Sequence, residues 1–262
     1  MTGPARSPLG VTTSGQPGAA LIERAREAAR RWSLPFVPRR KKQPLSQLLG
    51  SAAEALLVFE REDVSLWDAE GSFSFNPGMA HLRRMRWRAG ERDDALVRVG
   101  ELREGDHVLD CTLGLGQDAL MAALIVGPKG RVVGLEKSLP LFAVISEGLA
   151  AYDYGPDSGR VEPQLADAHV WLRTQPSGAF DVVCIDPMFE KPKKAQPAFD
   201  MLRRYAEHAP LTADVLEQAR RVARRWVVVK GSRHSEDLAK LGLQAEPGSR
   251  YTSVIWGRAP AL

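Results

Sequence analysis

Asp186, Pro187, Met188 and Phe189 form a short run whose residue types suit chemistry on an amino group. They follow the apolar run FDVVCI at 180–185, which is typical of a buried strand. A nucleobase amino group is a poor nucleophile, because its lone pair is delocalised into the ring. Hydrogen bonds to the carboxylate of Asp186 and the carbonyl of Pro187 would draw that lone pair out, while Phe189 stacks on the base. We therefore predict that Asp186, Pro187 and Phe189 are catalytic.

A glycine-containing segment, VLDCTLGLGQDAL at 108–120, predicts a cofactor loop. A predicted strand ends at Asp110, and Gly114 and Gly116 follow before a predicted helix. Glycine allows a tight turn and the close approach of a ligand, and the N-terminus of a helix presents free N–H groups. The carboxylate of Asp110 is placed to meet the cationic amino-acid end of S-adenosylmethionine.

Two further acids end the next two predicted strands. Glu136 lies 20 residues after Gly116, where a carboxylate can accept both hydroxyls of a ribose. Asp167 ends the third strand and is placed to contact the adenine amino group. These positions predict that the cofactor lies across the carboxyl ends of three strands.

The same glycines leave other functions open. Gly114-x-Gly116-x-x-Ala119 also matches the dinucleotide fingerprint, and a nicotinamide cofactor would need the same acid at Glu136. A nicotinamide oxidoreductase, however, leaves the segment at 186–189 unexplained. A non-catalytic RNA-binding protein on a methyltransferase fold is another hypothesis, against which the acids at the strand ends argue. The segment does not distinguish RNA from DNA, so a DNA amino-methyltransferase is a further alternative.

From residue 106 onward, predicted strands and helices alternate. Strands are predicted at 107–112, 131–136, 160–167, 180–186 and 225–231, and helices at 118–127, 139–152, 168–175 and 210–223. The strands are near-continuous runs of Val, Ile and Leu, as in parallel strands that are covered on both faces. This pattern predicts an α/β fold with a doubly wound, mostly parallel sheet, and the tail at 243–258 predicts a closing hairpin.

The first part of the chain is predicted to form a smaller α/β unit. Strands are predicted at 9–14, 34–38, 55–62 and 64–68, and helices at 19–32 and 44–55. After this unit, helices are predicted around Ala80 and over 91–99. Pro, Gly and Ser at the start predict disorder. The predicted organisation is a disordered stretch over 1–9, a small N-terminal α/β domain over 10–74 and a second domain over 75–262.

The composition of the chain narrows the kinds of binding partner and the cellular compartment that we expect for this protein. The chain has a net charge of +4 and a pI of about 9.2, and its basic residues cluster at 39–42, 83–88 and 191–194. Such clusters suit a polyanion. The sequence predicts neither a membrane span nor a secretory signal. Two cysteines in apolar runs, with no CxxC pair, argue against disulfides and a metal site and favour the reducing cytoplasm.

The order of these segments resembles one family. The segment at 186–189 is similar to the [DNS]-P-P-[FY] motif of amino-group N-methyltransferases, with Met188 in place of the second proline. The bacterial small-subunit ribosomal RNA guanine-N2 methyltransferases and their uncharacterised relatives have similar segments in the same order. These segments are GMAHLRR (78–84), VLDCTLGLGQDAL, GLE (134–136), DVVCIDPMFEKPKK (181–194), QARRVARR and VVVK (227–230). The resemblance covers roughly residues 75–257, and the N-terminal part resembles that of the uncharacterised relatives.

The resemblance implies a class I, Rossmann-like methyltransferase sheet of seven strands whose last strand is antiparallel, with S-adenosylmethionine as cofactor and no metal. It implies methylation of guanine N2 in ribosomal RNA, as free RNA or in the small ribosomal subunit. The implied cofactor contacts are Asp110, Thr112, Gly114, Gly116, Asp118, Glu136, Ser138 and Asp167. The implied substrate contacts are Met188, His81, Arg83, Arg84, Lys191, Lys193 and Lys194. For Lys230, at a strand end, a phosphate contact and a cap of the sheet are both open.

Overall fold

The computed structural model describes residues 7–187, 197–206, 210–233, 236–246 and 254–262. The chain divides into two compact units, and neither is one continuous piece of sequence. The first unit consists of Met1–Asn76, Leu139–Tyr152 and Lys194–Tyr205, and the second of Pro77–Ser138, Asp153–Lys193 and Ala206–Leu262. The first unit thus adds two later stretches to the N-terminal part, and the domain boundary after residue 74 stays a prediction.

The strands are β1 (Ser7–Thr13), β2 (Ala53–Phe59), β3 (Val64–Trp67), β4 (Ser72–Ser74), β5 (His107–Asp110), β6 (Arg131–Glu136), β7 (Val161–Leu165), β8 (Phe180–Ile185), β9 (Ala223–Ser232), β10 (Gln244–Glu246) and β11 (Val254–Pro260). The helices are α1 (Ala19–Arg31), α2 (Leu45–Leu48), α3 (Gly78–Arg88), α4 (Ala95–Gly100), α5 (Gln117–Val126), α6 (Leu139–Ala151), α7 (Ala168–Thr174), α8 (Pro197–Tyr205), α9 (Ala213–Val222) and α10 (Asp237–Lys240). Within the described ranges, no helix has the length and apolar character that crossing a membrane requires.

The first unit is built on a four-stranded sheet in the order β1-β2-β3-β4. β1 and β2 are parallel and the other pairs are antiparallel, while α1 packs on β1. α6 packs on β3 and β2. Gly148 in α6 makes room for Phe75, because a Cβ at this position would lie 2.2 Å from the Phe75 ring. The residues that α6 buries are Leu141, Ala143, Val144, Ile145 and Leu149.

The second unit contains a seven-stranded sheet in the order β10-β11-β9-β8-β5-β6-β7. The strands from β9 to β7 in this order are parallel, and β11 is antiparallel to β9 and β10. The predicted doubly wound sheet with an antiparallel last strand is therefore confirmed. The strand order reverses between β5 and β8, and ligands of such sheets bind at the carboxyl ends near this point.

Helices cover both faces of the seven-stranded sheet, as its continuous apolar strands require. On one face, Leu109, Val133 and Val183 belong to a buried core that includes residues of α7, α9 and α10. On the other face, α5 packs on β5 and β6, and Gly100 at the end of α4 lies against Val182. Successive residues of a strand therefore contact different helical layers.

Proline explains the main departure from the predicted elements. The strand predicted at 34–38 is reduced to a single bridge between Phe36 and Val11. Pro35 and Pro38 have no N–H to donate, so a longer ladder cannot form there.

Other elements begin or end at residues that differ from the predicted ones. β1 begins at Ser7, so the last three residues of the stretch predicted to be disordered lie in a strand, while 1–6 lie outside the described residues. The helix predicted over 44–55 ends at Leu48, and Gly50 follows with a left-handed φ of 80°. β4 and α10, with three and four residues, are too short for a periodic pattern and were not predicted, nor was α8.

Candidate active site

Three acidic residues stand at the carboxyl ends of neighbouring strands in the second unit. Asp110 is the last residue of β5, Glu136 is the last of β6, and Asp186 directly follows β8. β5 pairs in parallel with β6 and β8, so that Asp110 lies opposite Gly134 and Cys184. The residues predicted for cofactor binding and for amino-group chemistry therefore share one edge of the sheet.

The loop between β5 and α5 is seated against β6. Gly114 and Gly116 have φ angles of 48° and 70°, which residues with a Cβ rarely adopt, and Gly116 is the N-cap of α5. Leu113 is buried below the loop and donates its N–H to the carbonyl of Leu135. Gly134 in β6 leaves space for Leu113, because a Cβ there would lie 2.5 Å from Leu113 Cδ1. This supporting glycine was not predicted from the sequence.

The carboxylate of Glu136 is held by two backbone groups. Its Oε2 accepts a hydrogen bond of 3.2 Å from Gly114 N–H, and its Oε1 accepts one of 2.8 Å from Ser138 N–H. The side chain is buried, so these bonds fix its position. Each carboxylate oxygen can accept a further hydrogen bond, which suits a residue that binds both hydroxyls of a ribose.

Thr112 connects the cofactor loop with the predicted catalytic residue. Its Oγ1 accepts a hydrogen bond of 2.6 Å from Asp186 N–H and lies 3.5 Å from Asp110 Oδ1, to which it donates. The same Asp110 oxygen accepts a bond of 3.0 Å from Thr112 N–H. The ends of β5 and β8 are therefore joined by side-chain contacts as well as by the sheet.

Lys230, in β9, lies between two of the predicted carboxylates. Its Nζ is 2.5 Å from Oδ2 of Asp118 and 2.6 Å from Oδ2 of Asp186. The other oxygen of Asp118 pairs at 2.7 Å with Arg83, which also binds both carboxylate oxygens of Asp94. Both oxygens of Asp118 are therefore engaged by cations of the protein, and its contact with the cofactor stays a prediction.

The surroundings shift the pKa values of Asp110, Asp118 and Asp186 in different directions. Burial and the charge of Asp118 raise the pKa of Asp110 to about 7. Burial also raises the pKa of Asp186, although the Lys230 ammonium opposes this effect. For Asp118, burial is outweighed by Lys230 and Arg83, which lower the pKa of this carboxyl to about 2. One firmly ionised acid therefore lies beside two acids that bind a proton more readily.

Asp167 caps a helix at the same sheet edge. As the N-cap of α7 it accepts a hydrogen bond of 2.8 Å from His169 N–H, and its Oδ2 lies 3.2 Å from Nζ of Lys137. Burial opposes its ionisation, but Lys137 and the His169 N–H lower the pKa of Asp167. Asp167 follows β7, the neighbour of β6, and its contact with adenine stays a prediction.

α3 carries three basic residues that were predicted to contact RNA. His81 is exposed, while Arg83 is held by the carboxylates described above. Arg84 is only 2% exposed and donates to the side chain of Ser158 and to two backbone carbonyls. The predicted RNA contact of Arg84 is therefore corrected, since its guanidinium is buried and binds within the protein.

Several predicted site residues lie outside the described part of the chain. They are Met188, Phe189, Lys191, Lys193 and Lys194. Pro187 is the last described residue before this gap, so the geometry of the predicted base pocket beyond it stays a prediction.

Two residues in the chain of ion pairs from Asp186 to Asp94 were not assigned a role from the sequence. Lys230 ends the apolar run RWVVVK, and a cation at the end of a buried strand was the available signal. Asp94 gave a signal only for its role as N-cap of α4, where it accepts from Val97 N–H. Its pairing with Arg83 depends on tertiary structure, so no local pattern predicts it.

The described residues fit S-adenosylmethionine by their chemistry. The glycine loop and the N-terminus of α5 suit close approach of the cofactor, Glu136 suits its ribose, and Asp110 suits its cationic amino group. Gln117, the first residue of α5, has a buried side-chain oxygen that accepts no hydrogen bond within the described ranges. An unpaired acceptor at this position is expected beside a ligand site rather than in a closed core.

Known proteins share sequence with most of this chain. The family described as "Putative SAM-dependent methyltransferase" matches residues 39–251. The chain is 35% identical to the uncharacterized protein YpiP of Bacillus subtilis (strain 168) over 226 residues, which cover 84% of this chain and 87% of that protein. It is 32% identical over 173 residues to ribosomal RNA small subunit methyltransferase J of Escherichia coli (strain UTI89 / UPEC). That match covers 62% of this chain and 66% of the relative, so about a third of the relative lies outside it.

A solved structure also resembles this chain along most of its length. The SAM-dependent methyltransferase NGO1261 from Neisseria gonorrhoeae has a TM-score of 0.60 at 22% identity, over 95% of each chain. This likeness concerns the fold, whereas the family match and the identity to YpiP concern the sequence. Together with the glycine loop and the strand-end acids, these matches show that the chain belongs to the SAM-dependent methyltransferases and that S-adenosylmethionine is its cofactor.

Proposed function

We propose that this protein transfers a methyl group from S-adenosylmethionine to an exocyclic amino group of a nucleobase, at guanine N2 in ribosomal RNA. The observation that carries the proposal is the position of Asp186, directly after β8 and beside the cofactor loop, with its N–H bound to Thr112. The choice of RNA rests on the relatives, since the Escherichia coli protein is named as a methyltransferase of small-subunit ribosomal RNA.

The cofactor would be held at the ends of β5, β6 and β7. Gly114 and Gly116 would let it approach the backbone, Glu136 would accept from its ribose hydroxyls, and Asp110 would bind its amino group. Asp167 would accept from its adenine amino group. When bound, S-adenosylmethionine supplies an electrophilic methyl group on a sulfonium sulfur.

Asp186 would position and activate the target amine. Its Oδ2 is bound by Lys230, whereas its Oδ1 accepts no hydrogen bond within the described ranges and so is open to an N–H of the base. The carbonyl of Pro187 would accept the second N–H. With both hydrogens held, the nitrogen lone pair turns out of the ring plane toward the methyl donor, and the enzyme mainly has to hold the two in line.

A proton must leave the nitrogen when it gains the methyl group. Asp186 can take this proton, because its pKa is raised above the ordinary value, and it can release the proton to solvent, because its side chain is 39% exposed. A target base stacked in a helix could not reach this strand end, so we propose that the base is flipped out or already unpaired. Phe189 and Met188 would then flank it.

Transfer of labelled methyl groups tests this proposal. The purified protein is incubated with methyl-labelled S-adenosylmethionine and with ribosomal RNA, small ribosomal subunits, or DNA. Wild type is compared with Asp186→Asn, which keeps the shape of the side chain, and with Asp157→Asn, in which an exposed aspartate of the same unit is changed. Calorimetric titration with S-adenosylmethionine shows whether each variant still binds the cofactor.

We expect RNA to gain label with wild type and Asp157→Asn, and kcat to fall at least about 100-fold in Asp186→Asn, as for loss of a general base. Label in DNA but not in RNA would show that the substrate is DNA and not the proposed RNA. Intact cofactor binding without label in any nucleic acid would contradict the proposal and favour a non-catalytic RNA-binding protein.

A further inference from the structure

We propose that Lys230 is a positioning residue for methyl transfer: it holds the Asp186 carboxylate in one orientation, and Asp118 and Arg83 hold Lys230 in place. This inference rests on the proposed function in one respect, namely that Asp186 accepts an N–H of the target amine. It extends the function to residues for which the sequence left the role open or predicted a different one.

Lys230 has little freedom to leave its position. Its Nζ bonds to Asp186 and Asp118 at 2.6 Å and 2.5 Å, and its side chain is 19% exposed. The ammonium also lies 5.1 Å from the centre of the Trp256 ring, on the antiparallel strand β11, where Trp256 pairs with Lys230 in register. An ammonium over an aromatic face is attracted to it, so the side chain is fixed from β11 as well as from α5.

A second layer of charges holds Asp118. Its Oδ1 pairs with Arg83 of α3 at 2.7 Å, and Arg83 binds Asp94, the N-cap of α4. The side chains of Asp118 and Asp94 are 12% and 10% exposed. Buried charges are costly unless they are paired, so removal of one partner is expected to disturb its neighbours. The chain of pairs therefore connects α3, α4, α5 and β9 with the carboxylate at the end of β8.

The geometry assigns different tasks to the two oxygens of Asp186. Oδ2 is bound by Lys230, which leaves Oδ1 for the amine. Without Lys230 the carboxyl group could rotate, and it would lose a positive charge at 2.6 Å that favours its ionised form. Among the residues that the structure describes, the charged groups that face Asp186 are Lys230 of β9 and Asp118 of α5, with Asp110 of β5 joined to Asp186 through Thr112.

Substitutions that remove either the positive charge of Lys230 or the negative charge of Asp118 test this role. Lys230→Met removes the ammonium but keeps an unbranched apolar side chain, Lys230→Arg keeps the charge, and Asp118→Asn removes the negative charge behind the lysine. Lys129→Met, at an exposed lysine of the same unit, is the control. For each protein we would measure kcat and KM for RNA, the pH dependence of kcat, S-adenosylmethionine affinity by calorimetry, and thermal unfolding.

We expect kcat to fall at least about 10-fold in Lys230→Met, with cofactor affinity within about 3-fold of wild type, because the lost interaction orients the amine rather than the cofactor. The acidic limb of the pH profile should move to higher pH in Lys230→Met, where a favourable positive charge is lost. It should move to lower pH in Asp118→Asn, where a repelling negative charge is lost. Lys230→Arg should keep the limb of wild type.

A titration of side-chain carboxyl groups by carbon NMR, with Asp186 assigned from Asp186→Asn, measures the same shifts without a substrate. If wild type methylates DNA and not RNA, the proposed substrate fails, but a fall in kcat of Lys230→Met on DNA together with the NMR shifts described still supports the role of Lys230. An unchanged kcat in Lys230→Met, or equal titration of Asp186 in wild type and folded Lys230→Met, would overturn the role. If Lys230→Met does not fold, the comparison of Asp118→Asn and Lys230→Arg with wild type decides in the same way.

Discussion

Glu136 is fixed by the backbone on both sides of its carboxylate before any ligand is considered. Gly114 N–H and Ser138 N–H each bind one oxygen, so the side chain needs no rearrangement to accept ribose hydroxyls. Preorganisation of this kind lowers the cost of binding, because little rotational freedom is lost when the ligand arrives.

For Glu136→Gln we expect a loss of cofactor affinity of about 10-fold or more, since hydrogen bonds to a charged group contribute about 1.5–3 kcal/mol each. The amide NH₂ would also face one of the two backbone N–H donors. Calorimetric titration with S-adenosylmethionine measures the effect, and Glu162→Gln, which changes a half-exposed partner of Arg131 in the same sheet, is the control. Equal affinity in both variants would show that Glu136 does not bind the cofactor.

Asp110 makes the stability of the cofactor-free protein depend on pH. Its pKa is raised from the ordinary value of 3.8 to about 7, so the folded state binds a proton at pH values where the unfolded state has lost it. The contribution of the protonated carboxyl to stability is therefore present below about pH 4 and is lost as the pH rises toward 7.

Asp110→Asn removes this titration while keeping a side chain of similar shape. We expect the melting temperature of Asp110→Asn, relative to wild type, to rise between pH 4.5 and pH 8, because wild type loses stability as Asp110 ionises. Each unit by which folding raises the pKa of Asp110 corresponds to about 1.4 kcal/mol of this stability. Thermal unfolding of both proteins over this pH range measures the difference. A difference that is constant with pH would mean that Asp110 titrates normally in the folded protein.

At the scale of elements, the cofactor loop depends on a strand that it does not belong to. Leu113, the residue before Gly114, is seated against Gly134 of β6, where a Cβ has no room. β6 also ends in Glu136, which binds the N–H of Gly114. One strand thus supports the loop from below and contacts it at the end.

Gly134→Ala should therefore displace the loop. Overpacking of a core site costs about 1–3 kcal/mol, so we expect a lower melting temperature together with weaker binding of S-adenosylmethionine. Gly71→Ala, at a turn where an added Cβ meets nothing within 4 Å, is the matched control. Unchanged cofactor affinity in a destabilised Gly134→Ala would show that the loop does not depend on this contact.

The elements of the second unit could be predicted well because parallel strands buried on both faces are continuous apolar runs. β6 has the predicted bounds, 131–136, and the acids that end β5, β6 and β8 meet because parallel strands share their carboxyl edge. The pairings of Arg83, Arg84 and Lys230 could not be predicted, because each joins groups that are distant in sequence. The resemblance implied RNA contacts for Arg83 and Arg84, which bind within the protein in the structure.

At the scale of the whole molecule, the chain returns twice to the unit in which it begins. The sequence of α6, LPLFAVISEGLAA, is apolar almost throughout and therefore predicts burial but not the sheet that it covers. In the structure, α6 packs on β3 and β2 of the first unit. Contacts between α6 and strands that end at Phe59 and Trp67 cannot be predicted from periodicity, because they join distant parts of the sequence. This explains why the predicted domains were continuous.

The first unit also carries the exposed basic run Arg40, Lys41 and Lys42. If these residues contact RNA phosphates, their replacement by glutamine should weaken RNA binding and lower its salt dependence. The slope of log K against log salt should fall by about 0.7 for each lost contact to single-stranded RNA. Binding isotherms at several salt concentrations measure this slope.

The control for this triple variant changes Arg103, Lys129 and Lys240, three exposed basic residues of the second unit, to glutamine. Equal slopes in the two triple variants would contradict the prediction.

The identity of the methylated nucleoside distinguishes transfer to an amino group of a base from methylation at any other position. Ribosomal RNA treated with the protein and methyl-labelled S-adenosylmethionine would be digested to nucleosides and analysed by mass spectrometry, with Asp186→Asn treated in parallel. We predict label in N2-methylguanosine that depends on Asp186. Label on a ribose hydroxyl, on a ring carbon or on protein would contradict the account of Asp186 and Pro187 as acceptors for the hydrogens of a nucleobase amino group.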